Sequence, residues 1–195
     1  DDVMDRAPMR RGVPTAHEVW GNSVAILTGD LLFARASQIV SRLGGKALSL
    51  QADTFERLCL GQLHETLGPQ GDEDPIAHYI QVLADKTGSL IAASAELGVV
   101  YGDGPDEYRE PMRIYGEKVG VAFQLIDDVI DIASDDSGKT PGTDLRAGVP
   151  TMPTLLLRAH AATDPKAREL VEIIDAGLED DAQLALAVAK LREHP

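Results

Sequence analysis

The sequence predicts an all-α fold. Three observations carry that reading. Ala, Leu and Val dominate an apolar fraction of 44%, while aromatics make up only 4%, a balance that favours helix over sheet. Apolar residues recur at helical spacing between breaks marked by Gly and Pro, and no segment alternates convincingly as a strand does. The start signals are helical too: Thr15 with Glu18 forms a capping box, and Asp74-Pro75 supplies a cap followed by proline at the first helical position.

Taken in order, residues 1–7 read as the end of a helix that Pro8 stops, and residues 9–14 read as a basic loop. A helix follows the Thr15 cap and kinks or restarts at Gly29-Asp30; its continuation ends at Gly44-Gly45. Residues 46–67 form a third helix, closed by Gly68-Pro69-Gln70-Gly71. After Asp74-Pro75 a helix spans residues 76–84, is interrupted at Lys86-Thr87-Gly88, and resumes over 90–99. A long helix covers about residues 106–133, and three more cover 154–162, 165–176 and 180–193. Residues 134–153 break the pattern, and a loop of that length in a helical chain is a functional candidate.

The 195 residues suffice for one domain with a substantial core, taken here as residues 1–195. The net charge is −14, from 32 acidic and 18 basic residues. That balance argues against nucleic acid and anionic membrane surfaces as partners, but not against phosphorylated substrates, because metal ions can reverse the local sign. The single cysteine, Cys59, cannot form an intrachain disulfide and reads as a small core residue. No apolar run reaches transmembrane length and no signal peptide is visible, so no integral membrane segment is expected; the expected location is cytoplasmic. The first residues already lie inside a motif, so the chain is expected to be a piece of a longer protein, incomplete at its N-terminus and at its C-terminus.

The chemistry concentrates in residues 124–131. Gln124, Asp127, Asp128 and Asp131 fall at i, i+3, i+4 and i+7, which on a helix is one stripe. Phe123, Leu125, Ile126, Val129, Ile130 and Ile132 surround them, and a helix apolar nearly all round is expected to be buried. Three carboxylates on such a stripe repel one another and call for a cation. The opening residues Asp1-Asp2-Val3-Met4-Asp5 repeat the D-D-x-x-D spacing. Carboxylates one turn apart suit Mg²⁺, which keeps its waters and takes one or two carboxylates plus phosphate oxygens. Arg10-Arg11, Lys86-Thr87 and Lys139 supply the matching cations: an arginine fork fits phosphate, and a loop lysine beside a metal site suits a lid. Taken singly, each of these also reads as a solvated acidic face, a surface basic pair or an ordinary turn. The two acidic motifs together favour the metal reading.

The full set resembles the trans-isoprenyl diphosphate synthases, the polyprenyl synthetase family. The matching parts are Asp1-Asp-Val-Met-Asp5 with Arg10-Arg11-Gly12, Gly29-Asp30, Gly61-Gln62, Lys86-Thr87-Gly88, Phe123-Gln-Leu-Ile-Asp-Asp-Val-Ile-Asp131, Gly138-Lys139 and Gly142-Thr-Asp144. They stand in family order along essentially the whole chain. The resemblance implies an isoprenoid synthase-type helical bundle around a central cavity. It also implies Mg²⁺-dependent condensation of an allylic prenyl diphosphate with isopentenyl diphosphate. By motif, Asp1, Asp5 and Asp127 would bind the metal directly, with Asp2, Asp128 and Asp131 in support. Arg10, Lys86 and Lys139 would hold the allylic diphosphate and Arg11 the isopentenyl diphosphate. Thr87 and Gln124 would flank the reacting carbons. Val149 stands where the family often has Lys and removes one diphosphate contact.

Two residues between the first motif's aspartates resemble medium- and long-chain synthases, a feature that geranylgeranyl diphosphate synthases share. A terpene cyclase and a non-catalytic subunit of a heteromeric synthase are the rivals. The paired motifs and Arg10-Arg11 disfavour the first, and the intact aspartates disfavour the second. The Ala/Leu-rich helices at 19–43 offer more apolar surface than one core needs, which predicts a homodimer.

Overall fold

Helices make up nearly every described element, as composition and periodicity predict. The computed structural model describes residues 2–4, 7–133 and 141–194. The chain divides into two units, Asp1–Asp53 and Thr54–Pro195.

In the first unit, residues 2–4 form a turn, not a helix end. The basic loop is a small hairpin, β1 (Met9–Arg10) paired antiparallel with β2 (Val13–Pro14). Its turn residues Arg11 and Gly12 have φ of 49° and 79°, the positive values that a tight two-residue hairpin turn requires. The helices are α1 (Ala16–Trp20) and α2 (Asn22–Val40), with a 3-10 turn at Ser41–Leu43. The Thr15 capping box does not form. The Thr15 hydroxyl instead donates to the Ala7 carbonyl at 2.7 Å, tying the hairpin's base to the preceding segment. The helix break falls at Gly21, with φ of 81°, and not at Gly29-Asp30, which lies inside an unbroken α2. No residue of α2 is buried. The stretch Asn22–Leu43 is long and apolar enough, by length and composition, to cross a membrane, despite Asp30 and Arg35. This corrects the reading that no run reaches that length.

The division between the units falls inside α3 (Gly45–Leu67). The second unit continues with α4 (Pro75–Leu83), a π-helical turn at Ala84–Gly88, and α5 (Ser89–Tyr101). After a 3-10 turn come α6 (Arg109–Ala133), α7 (Thr143–Ala147), α8 (Met152–His160), α9 (Pro165–Asp175) and α10 (Asp181–Glu193). Asp74 caps α4 as predicted, accepting from the Ile76 N–H at 3.1 Å. The interruption at Lys86-Thr87-Gly88 is not a break: the extra residue is absorbed as a π-turn, and the chain stays helical from α4 into α5. The expected loop at 134–153 contains the short helix α7, and residues 134–140 lie outside the described residues.

Two close approaches seat α5 and the π-turn against α6. A Cβ at Gly116 would stand 2.8 Å from Ala92 Cα, and one at Gly120 would stand 2.7 Å from Gly88 Cα. Only hydrogen side chains allow backbones that near. The main apolar cluster lies under α6, α7 and the last three helices, built on Ile132, Leu145, Leu157, Leu170, Leu178 and Leu184. Cys59 is exposed, which corrects its reading as a core residue. On α3 it is neighbouring Arg57 and Gly61 that turn toward the π-turn.

Candidate active site

Helix α6 turns part of its polar stripe inward, with Asp128 buried and Gln124 and Asp131 half-buried, while Asp127 and most of the apolar surround stay exposed. Its buried residues are Gly116, Gly120, Asp128 and Ile132, an i+4 row that includes the motif's middle carboxylate. Phe123, Ile126, Val129 and Ile130 are exposed, with 61% of Phe123 accessible. The reason is steric: the glycines let this face approach α5 and the π-turn, so Gln124 and Asp128 follow them inward on the same row, with Asp131 beside it on the same face.

The four polar residues have different surroundings. Asp128 Oδ2 accepts from the Tyr79 hydroxyl at 2.8 Å and from the Met152 N–H at 3.0 Å, linking α4, α6 and the start of α8. Burial holds its carboxyl above the usual range, against the lowering effect of those two donors. Burial and the neighbouring Asp128 carboxylate push the Tyr79 phenol up, so it stays a protonated donor. Asp131 accepts from the N–H groups of Thr143 and Asp144, each at 3.3 Å, while its carbonyl accepts from the Gly142 N–H at 2.8 Å. It thereby starts α7 and fixes Asp144 in place. Asp127 is exposed, and nothing among the described residues donates to its carboxylate. Gln124 is half-buried on the same face.

Gln124, Asp127 and Asp128 open onto one cavity of about 180 Å³, lined also by Glu65, Tyr79 and Asp144. Val149 lines it as well. At its edge, Lys86 donates from Nζ to Glu65 Oε2 at 2.5 Å. Thr87 is half-buried on the π-turn, and its hydroxyl has no partner among the described residues. The site therefore combines an exposed carboxylate with no donor among the described residues, two carboxylates already held by protein donors, and a lysine on an irregular turn. Among the described residues no three His, Cys, Asp or Glu side chains converge as a ready-made metal cage. An exposed carboxylate with room for water fits a hydrated divalent cation that takes only one or two protein ligands.

Of the first motif, Asp2 is described: it accepts from Arg10 Nε at 2.7 Å. Arg11 is exposed at the hairpin turn. Asp1, Asp5 and Lys139 lie outside the described residues. Sequence reasoning did not single out Tyr79, Glu65 or Asp144. Tyr79 precedes Lys86 by seven residues, two helical turns, a spacing that could have placed it on the same face. Asp144 was visible only as part of Gly142-Thr-Asp144.

The chain matches the family model for polyprenyl synthetase over residues 1–191. It is 46% identical to a nonaprenyl diphosphate synthase of Mycobacterium tuberculosis over 197 residues, covering all of this chain and 58% of that protein. It is 39% identical to a dimethylallyltranstransferase of the same organism, covering all of this chain and 59% of that protein. The chain thus spans under two thirds of these relatives' length. In structure it resembles a geranylgeranyl pyrophosphate synthase from Corynebacterium glutamicum, solved with calcium and isoprenyl diphosphate. That match has a TM-score of 0.85 and 42% identity, and covers 99% of this chain and 58% of the other. The helical fold is that of the isoprenyl diphosphate synthases, and the chain belongs to the polyprenyl synthetase family.

Proposed function

We propose that the protein is a Mg²⁺-dependent prenyltransferase. It condenses isopentenyl diphosphate with an allylic prenyl diphosphate, making an all-trans polyprenyl diphosphate by ionisation, condensation and elimination. The observation that carries this reading is the exposed Asp127 carboxylate, without a donor among the described residues, beside a cavity also lined by Gln124 and Asp144. Asp127 is the metal ligand of this motif. Asp128 and Asp131 act in support, keeping α4, α7 and α8 in register around it. Asp1, Asp2 and Asp5 are assigned to metal on their matching spacing, and Arg10, Arg11 and Lys139 to diphosphate on theirs.

Bound Mg²⁺ would stabilise the negative charge that develops on the departing diphosphate. Lys86 releases Glu65 to take a diphosphate oxygen, exchanging one anion for another. The Thr87 hydroxyl and the Gln124 amide oxygen face the carbons left electron-poor. The exposed apolar residues of α2, including Leu27, Leu31, Leu32 and Ile39, support a homodimer.

The test is an elongation assay on the full-length protein with Mg²⁺, isopentenyl diphosphate and allylic primers of increasing length. Elongated all-trans diphosphates are expected, and their size gives the chain length. No elongation with any primer would overturn the reading; a cyclic hydrocarbon product would establish a cyclase instead.

A further inference from the structure

We infer that Arg57 is a positioning residue for the proposed prenyl transfer, locking the π-turn that presents Lys86 and Thr87; the inference rests on the function proposed above. A π-turn is rare because it forces an extra residue into the helical ladder, and where one persists its surroundings must hold it. Here the holding contacts converge on Asp85, the residue before Lys86. Asp85 is 7% exposed. Arg57 Nε donates to its Oδ1 at 2.8 Å, and Gln81 Nε2 donates to its Oδ2 at 2.9 Å. The Ser89 hydroxyl donates to the Asp85 carbonyl at 2.6 Å. The same guanidinium reaches across to α6, where Nη1 donates to Glu117 Oε2 at 2.7 Å.

The guanidinium can reach both carboxylates because the backbones are close. A Cβ at Gly61 would stand 2.9 Å from Asp85 Cβ and 3.0 Å from Lys86 Cγ. Gly61 thus lets α3 lie directly on the π-turn. Arg57 is one helical turn earlier on the same face, which brings its guanidinium over Asp85. Gly120 does the same from α6 against Gly88. The turn is therefore clamped between two helices, and one planar fork ties both to it. A lysine could satisfy one carboxylate but not both in these directions. Because Lys86 follows Asp85 directly, any rotation of the clamp displaces the ammonium and the Thr87 hydroxyl.

The test is a double-mutant cycle in the full-length protein, read as elongation kinetics. The variants are Arg57→Met, Arg57→Lys, Lys86→Ala and the pair Arg57→Met with Lys86→Ala. Arg57→Met is expected to lower kcat on the order of 10²-fold, the scale of a 1 Å misplacement, with Arg57→Lys recovering part of it. The pair is expected to lose at least about tenfold less than the product of the two single losses, because both changes act on one turn, any remaining effect of Arg57→Met passing through Thr87. A merely stabilising ion pair would give losses that multiply. Multiplying losses, or an Arg57→Met variant at wild-type kcat, would overturn the inference. If Arg57→Met does not fold, Glu117→Gln, which frees one arm of the fork, enters the same cycle under the same criteria. Wild-type protein inert with every primer would count against the prenyl-transfer reading itself, whereas an active wild type with an unaffected Arg57→Met would sink this inference alone.

Discussion

Replacing Tyr79 by Phe removes one hydroxyl and leaves the ring in the cavity wall. That hydroxyl is 2.8 Å from Asp128 Oδ2, and Asp128 is 6% exposed, so water cannot freely replace the lost donor. A hydrogen bond to a charged group contributes about 1.5–3 kcal/mol. The Met152 N–H still donates to the same oxygen at 3.0 Å, so the carboxylate is not orphaned. This places the loss at the lower end, about 1.5–2 kcal/mol. For a protein of this size each kcal/mol moves the unfolding midpoint by about 2–4 °C, so Tm should fall by about 3–8 °C. Thermal unfolding followed by circular dichroism measures it directly. The same variant should also elongate more slowly, since Asp127 directly precedes Asp128 on the helix. A midpoint within about 1 °C of wild type would refute the claim that Tyr79 holds Asp128 in the folded state.

Other perturbations test the packing and the helix ends. Gly120→Ala should destabilise by about 1–3 kcal/mol in urea unfolding, because the new Cβ meets backbone at Gly88 and not a side chain that can yield; stabilisation, as at an ordinary exposed helical glycine, would contradict the close approach. Asp74→Ala should cost roughly 1 kcal/mol through the lost cap on the Ile76 N–H, read in the same unfolding experiment. The Lys166 N–H holds the Asp164 carboxyl below its ordinary range, and Arg158 does the same for Asp175. Their folded values are depressed, so the stability they contribute is full above about pH 4 and is lost as pH falls through the folded values. Between those pH values Tm should drop less in an Asp164→Asn, Asp175→Asn variant than in wild type.

Most helices were legible because local signals dominate them. Gly and Pro punctuation placed α3, α4 and the last three helices within a few residues. Errors arose where a distant contact outweighed a local signal. Thr15 looked like a cap, but its hydroxyl serves Ala7, eight residues earlier. The apolar residues around Asp128 suggested a helix buried on all sides. The burial of α6 is set instead by the glycines at 116 and 120, whose close approach to α5 and the π-turn a hydrophobic pattern does not register. The D-D-x-x-D spacing and the Gln124 stripe singled out the aspartates and Gln124 as candidates, and the apparent helix interruption singled out Lys86. Glu65 and Arg57 carried no such signal, because their partners Lys86 and Glu117 lie 21 and 60 residues away, and Tyr79 shows only through its two-turn spacing from Lys86.

The most direct test of the central claim is the metal dependence of elongation in wild type and in Asp127→Ala. Elongation should stop after chelation and recover on adding back Mg²⁺, and Asp127→Ala should lose on the order of 10²-fold or more, which added Mg²⁺ does not restore. Elongation that continues at the wild-type rate in the presence of chelator, or in Asp127→Ala, would contradict it.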